Sequence, residues 1–287
     1  MTEHLTVAAL LAEGLAQLRA AGPGPEVTPE PDAQLLLAHV LGVPRVRLKS
    51  HPEALPDPAQ TRHYRDLLTR RAAGEPVAYL TGSRDFWSLS LAVSPEVLIP
   101  RPETELLVER ALALWSAAEA SVADLGTGSG AVALALAHER PRWRVVATDT
   151  SPEALAVARA NAARLSQRRV EFRLGDWYQP LAGERFDLLL SNPPYVAAAD
   201  AVLGGAGLRY EPRGALTPGD DALACLRILA RGAAQHLKAG GWVLLEHGAT
   251  QAAEVRRELV LAGLRYVRSH RDLAGHERMT EGQHDQI

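Results

Sequence analysis

From about residue 105 to near the end of the chain, short apolar runs alternate with segments of helical periodicity, and this alternation constrains the fold more than any other feature. Helical spacing covers 106–117, 131–138, 153–165, 221–237 and 250–262. Between these lie strand-like runs at 122–125, 144–148, 170–174, 186–191 and 241–246, with two weaker candidates near 264–269 and 276–281. Strands separated by helices are joined by crossovers rather than hairpins, which predicts an α/β domain with a mostly parallel, seven-stranded sheet and helices on both faces. Such a sheet binds ligands at the carboxyl ends of its strands. The residues that follow each run are therefore where chemistry is expected.

The preceding residues are organised differently. Over 1–74, Leu5, Ala8, Ala9, Ala12, Leu15, Ala16 and Leu18 recur at helical spacing, and Gly22-Pro23-Gly24-Pro25 breaks the pattern. Further helices are expected over 31–41, around Leu35, Leu36 and Leu37, and over 58–73, with Tyr64, Leu67 and Leu68 on one face and arginines on the other. A small helical bundle follows, of the kind that serves docking or positioning. Residues 75–100 carry strand-like Val77, Tyr79, Leu80, Phe86, Trp87, Leu89, Leu91 and Val93, with Gly82 and Pro95 as turn formers, and read as a connecting β-hairpin. The expected organisation is thus a helical domain at 1–74, a hairpin linker at 75–100 and the α/β domain at 101–287.

Composition narrows the function classes. The 287 residues are 47% hydrophobic with a net charge of −3, so a buried core is expected and a strongly basic nucleic-acid surface is not. Lysine occurs only at positions 49 and 238, and arginine supplies nearly all the positive charge. No signal-peptide pattern opens the chain and no apolar run is long enough for a bilayer span, so a cytoplasmic protein is expected. The single cysteine, Cys225, lies in an apolar stretch and reads as a small buried side chain. The ten histidines show no metal-ligand spacing, and no metal site is expected.

The first motif is Asp124-Leu125-Gly126-Thr127-Gly128-Ser129-Gly130, between a strand and a helix. Glycines let backbone pass close to a ligand, and the helix start presents unpaired N–H groups. Asp149 ends the next strand, where a carboxylate can accept both ribose hydroxyls of an adenosine. It also stands before Thr150, Ser151 and Pro152, a helix-capping arrangement compatible with that role. Asp176 and Trp177 end the third strand, the one able to accept from an adenine amino group and the other to pack against the base. Taken alone, this set also fits a nicotinamide dinucleotide, because Gly126, Gly128 and Ala131 satisfy G-x-G-x-x-A with Asp149 at the expected distance.

The second motif, Asn192-Pro193-Pro194-Tyr195, closes the fourth strand. Neither proline can donate a hydrogen bond. The side-chain oxygen of Asn192 and the carbonyl of Pro193 become two fixed acceptors, suited to a planar nitrogen with two hydrogens. Tyr195 adds a flat aromatic wall. A nicotinamide oxidoreductase would leave this motif without purpose, and no Tyr-x-x-x-Lys pair is present.

Together the glycine loop, Asp149 and Asn-Pro-Pro-Tyr resemble a class I, Rossmann-like methyltransferase of the amino-group type. Glu75–Gly82, Phe86, Val97–Glu105, Tyr210–Pro212, Leu244–Gly248 and Arg271–Arg278 then resemble the HemK/PrmC family, the protein-(glutamine-N5) methyltransferases that modify peptide chain release factors. The resemblance implies an enzyme that uses S-adenosylmethionine and yields S-adenosylhomocysteine. It implies a cofactor site at Gly126, Thr127, Gly128, Ser129, Gly130, Asp149, Asp176, Trp177 and Asn192. The glutamine would bind at Asn192, Pro193, Pro194 and Tyr195, with Asn192, Pro193 and Tyr195 catalytic. Pro100–Thr104 would lie near the methyl donor, and the helical domain would help dock the release factor to a monomeric enzyme that needs neither membrane nor nucleic acid. A ribosomal-protein glutamine and an adenine N6 are the alternative acceptors. The polar tail Met279–Ile287 has no assigned role.

Overall fold

In the computed structural model, which describes residues 5–21, 28–205 and 207–285, the chain divides into two units. One runs to Ser83 and takes in Gly204–Tyr210; the other holds Arg84–Leu203 and the chain from Glu211.

The first unit consists of α1 (Val7–Ala20), α2 (Pro29–Leu41), α3 (Arg45–Ser50), α4 (Pro58–Ala72) and α5 (Val77–Thr81). Thr6 caps α1, and Asp57 and Gln60 form a reciprocal capping box at α4. The apolar stripes meet in one core of Leu10, Leu18, Leu36, Leu37, Tyr64, Leu67, Leu68 and Leu80. Within it Arg71 donates to Asp32 at 2.8 Å. The expected break at 22–25 lies outside the described residues. Val77, Tyr79 and Leu80 were expected in a strand but form helix: Pro76 starts α5, Gly82 ends it in a left-handed conformation, and Leu80 is buried in the helical core. Aromatic and β-branched residues favour a half-buried surface, and packing on helices overrides that weak preference.

The second unit begins at Arg84, within β1 (Ser83–Phe86), which pairs with β2 (Leu89–Ala92) in a two-stranded ribbon followed by a 3₁₀ turn at Pro102–Thr104. Then come α6 (Glu105–Leu114), β3 (Ser121–Leu125), α7 (Ala131–Glu139), β4 (Arg144–Asp149), α8 (Pro152–Arg164), β5 (Glu171–Leu174) and β6 (Phe186–Ser191). A short α9 (Arg213–Leu216) interrupts a long loop before α10 (Ala224–His236), β7 (Leu237–Glu246), α11 (Ala252–Leu261), β8 (Arg265–Arg271) and β9 (Glu277–Gln283). Seven strands form one sheet in the order β5-β4-β3-β6-β7-β9-β8. β3 to β7 pair in parallel, and β9 is antiparallel to both neighbours. Successive side chains enter opposite layers: Val122, Leu188, Leu190 and Leu244 pack with α6 and α7, whereas Ala123, Leu125, Leu189 and Val243 pack with α10 and α11.

Residues 279–283 of the polar tail belong to an inner strand, β9. Thr280 and Glu281 of β9 are fully buried. Thr280 meets His247 and Ser269, both at 2.8 Å. Burial raises the pKa of Glu281, but hydrogen bonds from His270, Arg110 and Arg268 outweigh it and hold the carboxyl at about 2. Polar residues paired in this way leave no apolar alternation to read.

Candidate active site

The strand ends of the parallel sheet converge on one cleft of about 410 Å³ in the second unit. After β3 the chain turns through Gly126, Gly128 and Gly130, all at positive φ (75°, 55° and 86°). The Gly126 and Thr127 N–H groups both donate to the Thr148 carbonyl at 2.9 Å. Beneath the turn, Asp124 accepts from the Thr127 hydroxyl at 2.6 Å and the Ala133 N–H at 3.2 Å. Burial pushes its carboxyl up to about 6, although both bonds oppose the shift. Ser129 is buried, and its carbonyl accepts from Asn161 at 3.0 Å; the same side chain also bonds the Ala92 N–H and carbonyl of β2. A side chain at Gly130 would meet Leu134 at 3.0 Å and Ala158 at 3.3 Å, so glycine lets α7 and α8 close up under the loop.

Asp149 lines the cleft at the end of β4. Its Oδ2 accepts from the Gly128 N–H at 2.8 Å and its Oδ1 from the Ser151 N–H at 2.9 Å, while Ser151 caps α8. Each carboxylate oxygen keeps a further lone pair for a ligand. Trp177 sits at φ 40°, with its indole 3.3 Å from where a Cβ on Gly126 would be. A bare backbone faced by an indole, beside a carboxylate, offers a flat surface and hydrogen-bond acceptors of the kind a nucleoside can use.

On the opposite wall, Asn192 donates its Nδ2 to the Thr104 hydroxyl at 3.1 Å. That bond turns the amide nitrogen toward Thr104 and its acceptor oxygen away. Pro193 is buried. Tyr195 is half-buried: its hydroxyl donates to Glu246 at 3.3 Å, and its carbonyl accepts from Gln251 at 3.0 Å. Burial, followed by the negative charge of Glu246, raises the phenol. Glu246 is itself fully enclosed. Burial pushes it up to about 7, against the hydroxyls of Thr104 and Tyr195; Glu103 adds to the rise and Arg278 opposes it.

Of the expected site residues, Gly126, Gly128, Asp149, Asp176, Trp177, Asn192 and Pro194 line the cleft. Thr127, Ser129 and Gly130 brace it from below, and Pro193 and Tyr195 lie outside its lining. Sequence reasoning gave no role to Asp124, Asn161 or Glu246, nor to the walls at Glu96–Leu98 and Pro212–Pro218. Asp124 and Glu246 did carry a signal, each being a lone acid at the end of an apolar run. Cys225 differs from expectation: it is half-buried on the cleft wall, where burial raises its thiol.

The fold is that of a class I methyltransferase, and the family matches make it an enzyme whose methyl donor is S-adenosylmethionine. Residues 9–82 match the PrmC N-terminal domain and residues 102–206 the methyltransferase small domain. The release factor glutamine methyltransferase of Xylella fastidiosa is 51% identical over 88% of this chain and 92% of its own length. That of Escherichia coli is 42% identical over 96% and 98%. A methyltransferase structure from Pyrococcus furiosus superposes with a TM-score of 0.53 at 20% identity, covering 70% of this chain and 91% of that one, and shows the fold alone. The chain belongs to the release factor glutamine methyltransferase family.

Proposed function

We propose that this enzyme methylates the side-chain amide nitrogen, N5, of a glutamine in a peptide chain release factor, at its Gly-Gly-Gln sequence. The observation that supports the assignment of residues is the bond from Asn192 to Thr104, because with the amide nitrogen engaged there the side-chain oxygen is left as the group able to accept. Relatives named for release factor glutamine supply the substrate class. The reading is of a monomer in the cytoplasm, where its substrate works, with no nucleic acid in the complex.

Bound, S-adenosylmethionine supplies a methyl group on a sulfonium centre. Gly126, Thr127, Gly128, Ser129 and Gly130 would shape its cradle, Asp149 would accept from the ribose hydroxyls, and Asp176 and Trp177 would take the base. Amide nitrogen is a poor nucleophile, since its lone pair is delocalised into the carbonyl. The Asn192 side-chain oxygen and the Pro193 carbonyl would each accept one amide hydrogen. They raise electron density on the nitrogen and stabilise the positive charge that develops there. Pro194 and Tyr195 would confine the planar group, and methyl transfer demands such alignment.

Incubation with isotopically labelled S-adenosylmethionine and purified release factor, followed by mass spectrometry of the peptides, tests the reading. We expect one methyl on the Gly-Gly-Gln glutamine. Label on adenine in nucleic acid, or on a ribosomal protein and not on the release factor, overturns it.

A further inference from the structure

Glu246 closes β7 and is 2% exposed. Its Oε1 accepts from the Tyr195 hydroxyl at 3.3 Å, while its buried Oε2 has no hydrogen-bond partner among the described residues. A buried carboxylate with an unpartnered oxygen destabilises a fold, and packing alone would be served by an apolar side chain. Thr104, also buried, accepts from Asn192 at 3.1 Å. A hydroxyl that accepts still has its own hydrogen to give; Thr104 is near enough to oppose the rise in the Glu246 pKa, and Oε2 of Glu246 is a buried acceptor with no donor of its own.

We infer that Glu246 is a positioning residue of methyl transfer: as an acceptor-only group behind the lip, it draws in the hydroxyls of Tyr195 and Thr104, and so makes Thr104 an acceptor for the Asn192 amide nitrogen. The kinetic consequence rests on the glutamine-N5 reading, whereas the geometry does not. Polarity, not shape, is the decisive property. A glutamine or a protonated carboxyl at this position could donate to Thr104. Thr104 would then donate to Asn192, the amide would turn over, and an N–H would face the nitrogen that needs an acceptor. The groups around Glu246 leave its ionisation near neutrality: burial and Glu103 favour the neutral form, and Thr104, Tyr195 and Arg278 the charged one. Arg101 additionally favours ionisation of the Tyr195 phenol.

The test compares the full-length enzyme with Glu246→Gln. For the variant we expect kcat on the release factor to fall about 10- to 100-fold, with KM and S-adenosylmethionine affinity changed less than about threefold. The wild-type acid limb, centred near pH 7, should vanish in the variant. A second readout needs neither substrate nor turnover. The ¹⁵N–¹H signals of the Asn192 side-chain amide, identified by their loss in Asn192→Ala, should titrate near pH 7 in the free wild-type protein. In Glu246→Gln they should stay at the acid-form position at every pH. Wild-type kcat with an unchanged pH profile in the variant overturns the proposal, and so do Asn192 signals that ignore both pH and the substitution. A wild-type enzyme that leaves the release factor unmethylated sinks the substrate reading instead, and the amide titration still decides the role of Glu246.

Discussion

The two halves of the cleft are built by different means. The glycine loop is held by groups close to it in the chain: Asp124 braces Thr127 three residues on, and Asp149 reaches Gly128 across the neighbouring strand. The Asn-Pro-Pro-Tyr lip is held from far away: Thr104 is 88 residues from Asn192, and Glu246 is 51 from Tyr195. The loop half works through backbone N–H groups that the fold fixes once. The lip half depends on the direction of side-chain hydroxyls and amides, which a single proton can reverse. Damage to the first should therefore appear as cofactor affinity, and damage to the second as turnover.

Asn192→Ala should show the largest effect and so tests the division first. Removing one of two acceptors from the developing charge should lower kcat about 100- to 1,000-fold, while S-adenosylmethionine affinity, read by calorimetry, stays within roughly fivefold, because the loop is untouched. An equal loss in both would erase the distinction between the halves.

Asp149→Ala is the mirror experiment. It removes the carboxylate that orders Gly128 and Ser151 and the acceptor proposed for the ribose. Affinity for S-adenosylmethionine should weaken about 30- to 100-fold, equivalent to about 2–3 kcal/mol. At saturating cofactor, kcat should stay within about threefold of wild type. A normal dissociation constant would remove Asp149 from the cofactor site.

The same contrast explains how far the chain could be read before its structure. The parallel core, the glycine loop and Asp149 follow from local periodicity and spacing, because the physics that fixes them acts over a strand and the turn after it. The expected residues that line the cleft lie at or within a few residues of the carboxyl ends of β3, β4, β5 and β6. The link from Thr104 and Glu246 to the lip was outside the reach of local pattern: the position of Glu246 after an apolar run marks it, but only the folded chain brings Thr104 to Asn192 and Glu246 to Tyr195. β9 was read weakly for another reason, since its buried polar residues find partners on β8 and α6. Val77–Thr81 went astray because its side chains suit a strand while its neighbours are helices.

Thr104→Val separates the hydroxyl from its shape. Valine keeps the volume but cannot accept from Asn192, so the amide loses the bond that orients it. We expect kcat to fall about 10-fold, or about 1.4 kcal/mol, with cofactor affinity unchanged. Thr104→Ser, which keeps the hydroxyl, should recover most of the loss. A serine variant no better than valine would mean that packing, and not the hydrogen bond, is what Thr104 contributes.

The smallest effect is one of stability. Burial raises Glu246 from 4.5 to about 7 in the folded protein. Between those values the folded state holds the proton more tightly than the unfolded chain, so ionisation destabilises the fold as pH rises. The penalty is absent below about pH 4.5 and complete above about pH 7. Glu281 acts in the opposite sense: its pKa is lowered to about 2, and its contribution is present above 4.5 and lost on acidification. Because Glu281 is shared by both proteins, it cancels when Glu246→Gln is compared with wild type. The full shift corresponds to roughly 3 kcal/mol. Relaxation around the charge and the altered hydrogen bond to Tyr195 reduce the expected net gain to about 1 kcal/mol. Urea unfolding should find the variant more stable than wild type at pH 8 and the two nearly equal at pH 5. The same difference at both pH values would show that the lip half carries no buried charge for turnover to depend on.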